Sequence, residues 1–112
     1  MITLIVNRDS ERMLWEVNCV EETPPGSCKG LLEFAEALIA RGDATLVCSD
    51  ALAELVILRL LKRVREKVIK PGDLNLWVIH GGWKKSMEVG ENGNFISAFP
   101  GGFFEESLDE MF

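Results

Sequence analysis

Two segments of helical periodicity, separated by a short apolar segment, constrain the fold of this chain more than any other feature. Residues 44–48 read ATLVC, and a short apolar segment of this kind is typical of a strand buried in a parallel sheet. The segments on either side repeat their apolar residues every three or four positions, at Leu31, Phe34, Ala35, Leu38 and Ile39 and then at Ile57, Leu60, Leu61, Val64 and Val68. This alternation predicts an α/β domain with a small, mainly parallel sheet and two main helices.

Caps and breakers indicate where the two helices begin and end. A suitable N-cap, Ser27, precedes a helix that extends to about Arg41. Ser49 or Asp50 caps a second helix that extends to about Val68. A proline–glycine pair follows the second helix and ends it.

The predicted strands cover residues 2–6, 13–19, 44–48 and 74–80. The first two are separated only by a turn-forming N-R-D-S segment, so we expect them to form a hairpin. Residues 13–19, the first helix and residues 44–48 are expected to make one parallel βαβ unit.

The C-terminal part of the chain predicts a different arrangement. Residues 84–89 and 94–98 are expected to form an antiparallel hairpin, because Asn92-Gly93 between them is a strong hairpin turn signal. A short closing helix is expected after it, with one apolar stripe made by Phe104, Leu108 and Met111.

Length and composition predict a single cytoplasmic domain that covers residues 1–112. The chain is 47% hydrophobic, and 112 residues suffice for one core but not for two. No run of about 18 apolar residues is present, so we expect no membrane span. The N-terminus has no basic segment before its apolar residues, so a signal peptide is not expected. Three widely spaced cysteines and a single His80 predict neither a metal site nor a disulfide framework, and we expect no cofactor.

The distribution of charge indicates one candidate interface. The net charge of −6 argues against direct nucleic-acid binding. Half of the twelve basic residues nevertheless lie between Arg59 and Lys70, and the last eight residues carry four acids. The candidate partner interface consists of Arg59, Lys62, Arg63, Lys70, Phe103 and Phe104. A solvated helix face is the alternative for the four cations, and packing within the domain's own core is the alternative for the two phenylalanines.

Motif searching finds no complete catalytic site. The phosphate-loop pattern is absent, and the glycine–lysine segments at residues 26–30 and 81–86 match only parts of it. Glu21 and Glu22 follow a predicted strand, but no histidine or metal-ligand cluster lies near them in sequence. A solvated turn is the simpler interpretation of this acidic pair.

The second half of the chain resembles the C-terminal end of a family of bacterial AAA/ABC-type ATPases related to the OLD and SMC-like ATPases. The resemblance covers residues 54–112 and includes a helix of the pattern E…R…R-x-R-E…P-x-D, matched by Glu54, Arg59, Arg63, Arg65, Glu66, Pro71 and Asp73. The family ends near W-P-x-G-F-F-D-E, and residues 99–106 of this chain read F-P-G-G-F-F-E-E. The resemblance implies the fold of an ATPase C-terminal lobe, in a family with many members in mobile or defence-associated operons.

The first half can be aligned to the same family, and there the catalytic residues are missing. Residues 17–20 read VNCV where the family has the Walker B sequence E-N-P-E. Leu52 stands where the family has the histidine that senses the γ-phosphate, and an apolar side chain cannot hydrogen-bond to phosphate. The resemblance therefore implies the family's fold without its activity, as a degenerate stand-alone copy.

Three functions are compatible with these observations. The first is a non-catalytic interaction or regulatory protein that acts through a partner ATPase or through self-association, in a DNA-processing or defence-type system. The second is a component that completes an ATPase active site in trans with Glu21, Glu22 or Glu54. The third, which the net charge disfavours, is a nucleic-acid accessory protein that binds phosphates through its basic helix.

Overall fold

A computed structural model of the chain describes residues 1–9, 14–18 and 20–95. These residues form an α/β fold with one mixed sheet and two helices. In chain order the elements are β1 (Ile2–Asn7), β2 (Trp15–Val17), β3 (Val20–Glu22), α1 (Cys28–Arg41), β4 (Ala44–Ser49), α2 (Asp50–Arg65), a 3-10 turn (Pro71–Asp73), β5 (Leu74–His80) and β6 (Trp83–Met87).

The sheet is mostly antiparallel, so the prediction of a mainly parallel sheet is wrong. Its strand order is β3-β2-β4-β1-β5-β6. Only the pairings of β1 with β4 and with β5 are parallel, whereas the other three described pairings are antiparallel. The parallel part predicted from the apolar segments is therefore a three-stranded centre, and each flank adds antiparallel strands.

The expected hairpin between the first two strands is also wrong. β1 lies at the centre of the sheet, while β2 pairs antiparallel with β4 and with β3. Asn18 allows β2 to turn back and pair with β3. Its φ of 51° reverses the chain after three strand residues, and asparagine tolerates the left-handed region of φ/ψ space well. The Asn18 side chain accepts a hydrogen bond from the Thr45 backbone N–H at 2.9 Å, which fixes the turn beside β4.

The short β2–β3 hairpin changes the expected βαβ unit. β3 is antiparallel to β2 and β2 is antiparallel to β4, so β3, rather than β2, runs in the same direction as β4. The connections β3-α1-β4 and β4-α2-β5 then cross the sheet in the same direction, and crossovers of one hand place both helices on one face. Consistent with this, α1 and α2 pack against each other.

The helix starts are where the sequence predicts them, but one end differs. Ser27 caps α1 through its side-chain oxygen, which accepts a hydrogen bond from the Gly30 N–H, and Gly42 closes the helix in a left-handed conformation. Ser49 precedes α2 without a side-chain capping bond. α2 ends at Arg65 rather than near Val68, because Lys67 has a φ of 63° and its N–H turns back to the Val64 carbonyl.

The core lies between the sheet and the helices. Alternate residues of β1 are buried, and the helices contribute Ala35 and Leu38 from α1 and most of the inner face of α2. Trp15 is fully buried and stacks on Phe34 with ring centroids 4.7 Å apart. Neither helix in the described part of the chain combines the length and apolar character needed to cross a bilayer.

The structure describes the start of the hairpin that is predicted for residues 84–89 and 94–98. β6 first pairs with β5 across Gly81-Gly82. The chain then turns again after β6, so that Val89 and Phe95 form an antiparallel bridge. This bridge joins the two segments that the sequence predicts to pair. The second of these predicted strands, residues 94–98, continues past Phe95 into residues outside the described part of the chain, and the prediction of a closing helix falls on residues outside it as well.

Candidate interaction surface on the two helices

Arg59 and Arg63, two of the predicted interface cations, are bound to Glu36 of α1. The Glu36 carboxylate accepts a hydrogen bond from Arg59 Nη1 at 2.9 Å, and from Arg63 Nε at 2.9 Å and Nη2 at 2.6 Å. Arg63 also pairs with Glu66, which lies three residues later in sequence and caps the C-terminus of α2. These bonds connect the two helices along one side of α2.

The bonds shift the pKa values of both partners in the direction of mutual stabilisation. Hydrogen bonds from Arg63 and then from Arg59 hold the pKa of Glu36 below its ordinary value. The bond to Glu36, followed by the bond to Glu66, raises the pKa of Arg63. The sequence does not reveal this cluster, because Glu36 lies 23 and 27 positions from its partners.

Only part of the predicted basic face is therefore available to a partner. Arg59 and Arg63 have their charges balanced by acids and are about one fifth exposed. Lys62 is half-buried and Lys70 is exposed. Phe103 and Phe104, the two apolar members of the predicted interface, lie outside the described residues.

A groove with an apolar floor lies between the two helices, next to this cluster. Its volume is about 210 Å³, and its lining consists of Leu32 from α1 and Leu55, Leu58, Arg59 and Lys62 from α2. A wider, more open depression continues from it past Leu32 and Arg59. We refer to the lining of the smaller depression as the α1–α2 groove.

A second polar cluster lies at the carboxyl end of the central strands. The Asp9 carboxylate accepts hydrogen bonds from the Gly81 N–H at 2.9 Å and the Gly82 N–H at 3.4 Å. The Gly81 bond, with smaller contributions from Gly82 and the neighbouring His80, lowers the pKa of Asp9. His80 Nδ1 lies 3.6 Å from the same carboxylate. The acceptor positions of Asp9 are thus used to hold the β5–β6 turn.

The three glutamates of the trans-acting hypothesis are divided between two elements, β3 and α2. Glu21 and Glu22 are exposed on β3, the outermost strand at one edge of the described sheet. Glu54 is half-buried on α2, which packs over β4 and β1. β3 is two strands away from β4, or about 10 Å at the usual strand spacing.

The described residues contain no group of three or more histidine, cysteine or acidic side chains arranged to hold a metal ion. Of the cysteines that the structure describes, Cys28 is exposed and Cys48 is buried.

Comparison with known proteins does not assign a family or a function to this surface. No protein-family model, no curated protein and no solved structure matches the chain.

Proposed function

We propose that this chain is a non-catalytic interaction or regulatory protein that resembles the C-terminal lobe of an ABC-type ATPase. Its partner is an ATPase of that type, or a second copy, within a cytoplasmic DNA-processing or defence-type system. The observation that carries the proposal is the α1–α2 groove, in which leucine side chains from both helices lie beside a lysine. An apolar floor with charged residues at its edge is a common form of protein interaction site.

The ion cluster supports this role because it gives the groove a fixed shape. Glu36 connects α1 to α2 through Arg59 and Arg63, so the two helices that line the groove are held together by charged hydrogen bonds. A preformed groove loses less conformational entropy when a partner binds. The same bonds reduce the positive charge available to phosphates, which weakens the nucleic-acid hypothesis.

Affinity purification from native host cells tests the proposal, with and without Mg-ATP. The bait is the full chain, with a Leu55→Arg variant that places a charge in the groove and a Lys85→Glu variant on exposed β6 as the matched control. We expect the wild-type chain and the control to retain the same ATPase, identified by mass spectrometry, and Leu55→Arg to lose it. Equal recovery by all three baits would reject the groove as the interface.

The trans-acting hypothesis makes a separate prediction for the same complex. If Glu21, Glu22 or Glu54 completed a partner's active site, a Glu→Gln change there would abolish ATP turnover without weakening binding. Under the interaction proposal, turnover is unchanged by these substitutions.

A further inference from the structure

The α1–α2 groove is suited to a ligand that is both apolar and acidic. Leu58 is buried in its floor, Leu32 and Leu55 are half-buried, and Lys62 lies at its edge. Arg59, which also lines it, is already paired with Glu36. Lys62 forms no ion pair with any other described residue, so an acidic group beside Lys62 would supply the missing partner.

More positive charge follows at the C-terminal end of α2. Lys67 and Lys70 are both exposed, and neither pairs with an acid in the part of the chain that the structure describes. Helix C-termini carry a partial negative charge that these cations already offset in part. Together with Lys62 they still favour an acidic segment on this side of the helix.

The described chain ends beside the same helix. Gly93 packs so closely on α2 that a Cβ atom there would lie 2.2 Å from the Leu61 carbonyl oxygen and 3.0 Å from Arg65 Cβ. Phe95 then packs against the core. The described chain therefore ends two residues after a position that is packed on the last two turns of α2, and 17 residues (96–112) follow in the sequence.

The amino-acid sequence of that segment has the chemistry the groove requires. Phe104, Leu108 and Met111 recur at helical spacing, and Glu105, Glu106, Asp109 and Glu110 lie between them. The nine residue-to-residue steps from Phe95 to Phe104 span up to about 30 Å when the chain is extended. A helix of 16 residues such as α2 is about 24 Å long. The segment is therefore long enough to reach the groove from Phe95.

We propose that residues 103–112 of this chain dock in the α1–α2 groove as an amphipathic helix, with the apolar stripe on the leucines and the acids towards Lys62, in the mode of a helix in a groove. The docking does not depend on the partner proposed above. If that proposal also holds, the segment occupies the partner site in the free protein, and a partner must displace it.

Disulfide trapping in the full-length chain tests the docking directly. Leu55→Cys is combined with Leu108→Cys in a background that carries Cys19→Ser and Cys28→Ser, while Cys48 stays because it is buried. The matched control combines Ser86→Cys, which is exposed on β6, with the same Leu108→Cys change. Circular dichroism establishes that each variant is folded, and a Leu55→Cys/Met111→Cys pair repeats the test with another residue of the stripe.

We expect the Leu55/Leu108 cysteine pair to form an intramolecular disulfide about tenfold faster than the Ser86/Leu108 pair, because docking raises the local concentration of the two thiols. High salt should slow the reaction, since charged contacts contribute. Equal rates for the two pairs, or disulfides found only between two copies, would overturn the proposal. Loss of trapping with the partner interaction intact would reject the docking and leave the proposed function standing.

Discussion

Gly93 lies against Leu61 so closely that only a glycine fits: a Cβ atom at position 93 would be 2.2 Å from the Leu61 carbonyl oxygen. The same residue has a φ of 71°, which L side chains rarely adopt. Gly93 thus provides the positive φ that the turn after Asn92 requires and also packs that turn against α2. The end of the described chain is placed on the helix by this contact.

A Gly93→Ala substitution is expected to lower the free energy of unfolding by about 3 kcal/mol, from backbone strain and from overpacking against α2. Gly82→Ala is the matched control, since Gly82 has a φ of 82° but no atom near its Cβ position. Its cost should be about 1 kcal/mol. Urea denaturation measures both, and equal losses would show that the contact with Leu61 contributes nothing.

Glu36→Gln is expected to destabilise the protein by about 1 kcal/mol at pH 7, a value limited by solvent screening because the carboxylate is 39% exposed. Glu33→Gln is the control, since Glu33 is more exposed and its only described ion pair is with Lys29 at 4.0 Å. Glu33→Gln should lower the free energy of unfolding by less than Glu36→Gln does. A larger loss for Glu33→Gln in chemical denaturation would contradict the account of the helix pair.

The contribution of Glu36 should also depend on pH. The folded state lowers the pKa of this carboxyl, whose ordinary value is 4.5. Its stabilising effect is therefore fully present above pH 4.5 and is lost as the pH falls through the lower, folded-state pKa. We expect the stability difference between wild type and Glu36→Gln to shrink over this acidic range. A difference that grows on acidification would have the wrong sign.

Asp9→Asn is expected to loosen the β5–β6 turn, because the two glycine N–H groups lose a charged acceptor. Hydrogen exchange at Gly81 and Gly82 should become faster, while the exchange of Leu76 in the middle of β5 changes little. In the wild type, the same acceleration of exchange at Gly81 and Gly82 should appear only below the ordinary Asp9 pKa of 3.8, since the folded state lowers that pKa. Unchanged exchange at both glycines in the variant would remove this role of Asp9.

The elements that the sequence predicted correctly are those with local signals. The Ser27 cap, the end of α1 at Arg41 and the apolar segments of β1, β4 and β5 depend on neighbouring residues, and the structure confirms them. The sequence predicts the C-terminus of α2 three residues too late, because Lys67, which is not a glycine, adopts the left-handed conformation that ends the helix.

The errors in topology and in the candidate surface have a different origin. The Asn18 turn ends the predicted strand 13–19 after Val17, and the strand that follows the turn, β3, is charged and exposed, so hydrophobic periodicity does not predict it. Pairing of Arg59 and Arg63 with Glu36 depends on how α1 and α2 pack. Neither sequence spacing nor net charge carries that information.

Binding of the captured ATPase to the purified full-length chain tests the central claim most directly. Isothermal titration gives Kd for the wild type, for Leu55→Arg in the α1–α2 groove and for Lys85→Glu on β6. The account predicts that Leu55→Arg weakens binding by about a hundredfold, since it buries an unpaired charge in the interface, and that Lys85→Glu leaves Kd within about twofold. Identical Kd values for the wild type and Leu55→Arg would contradict it.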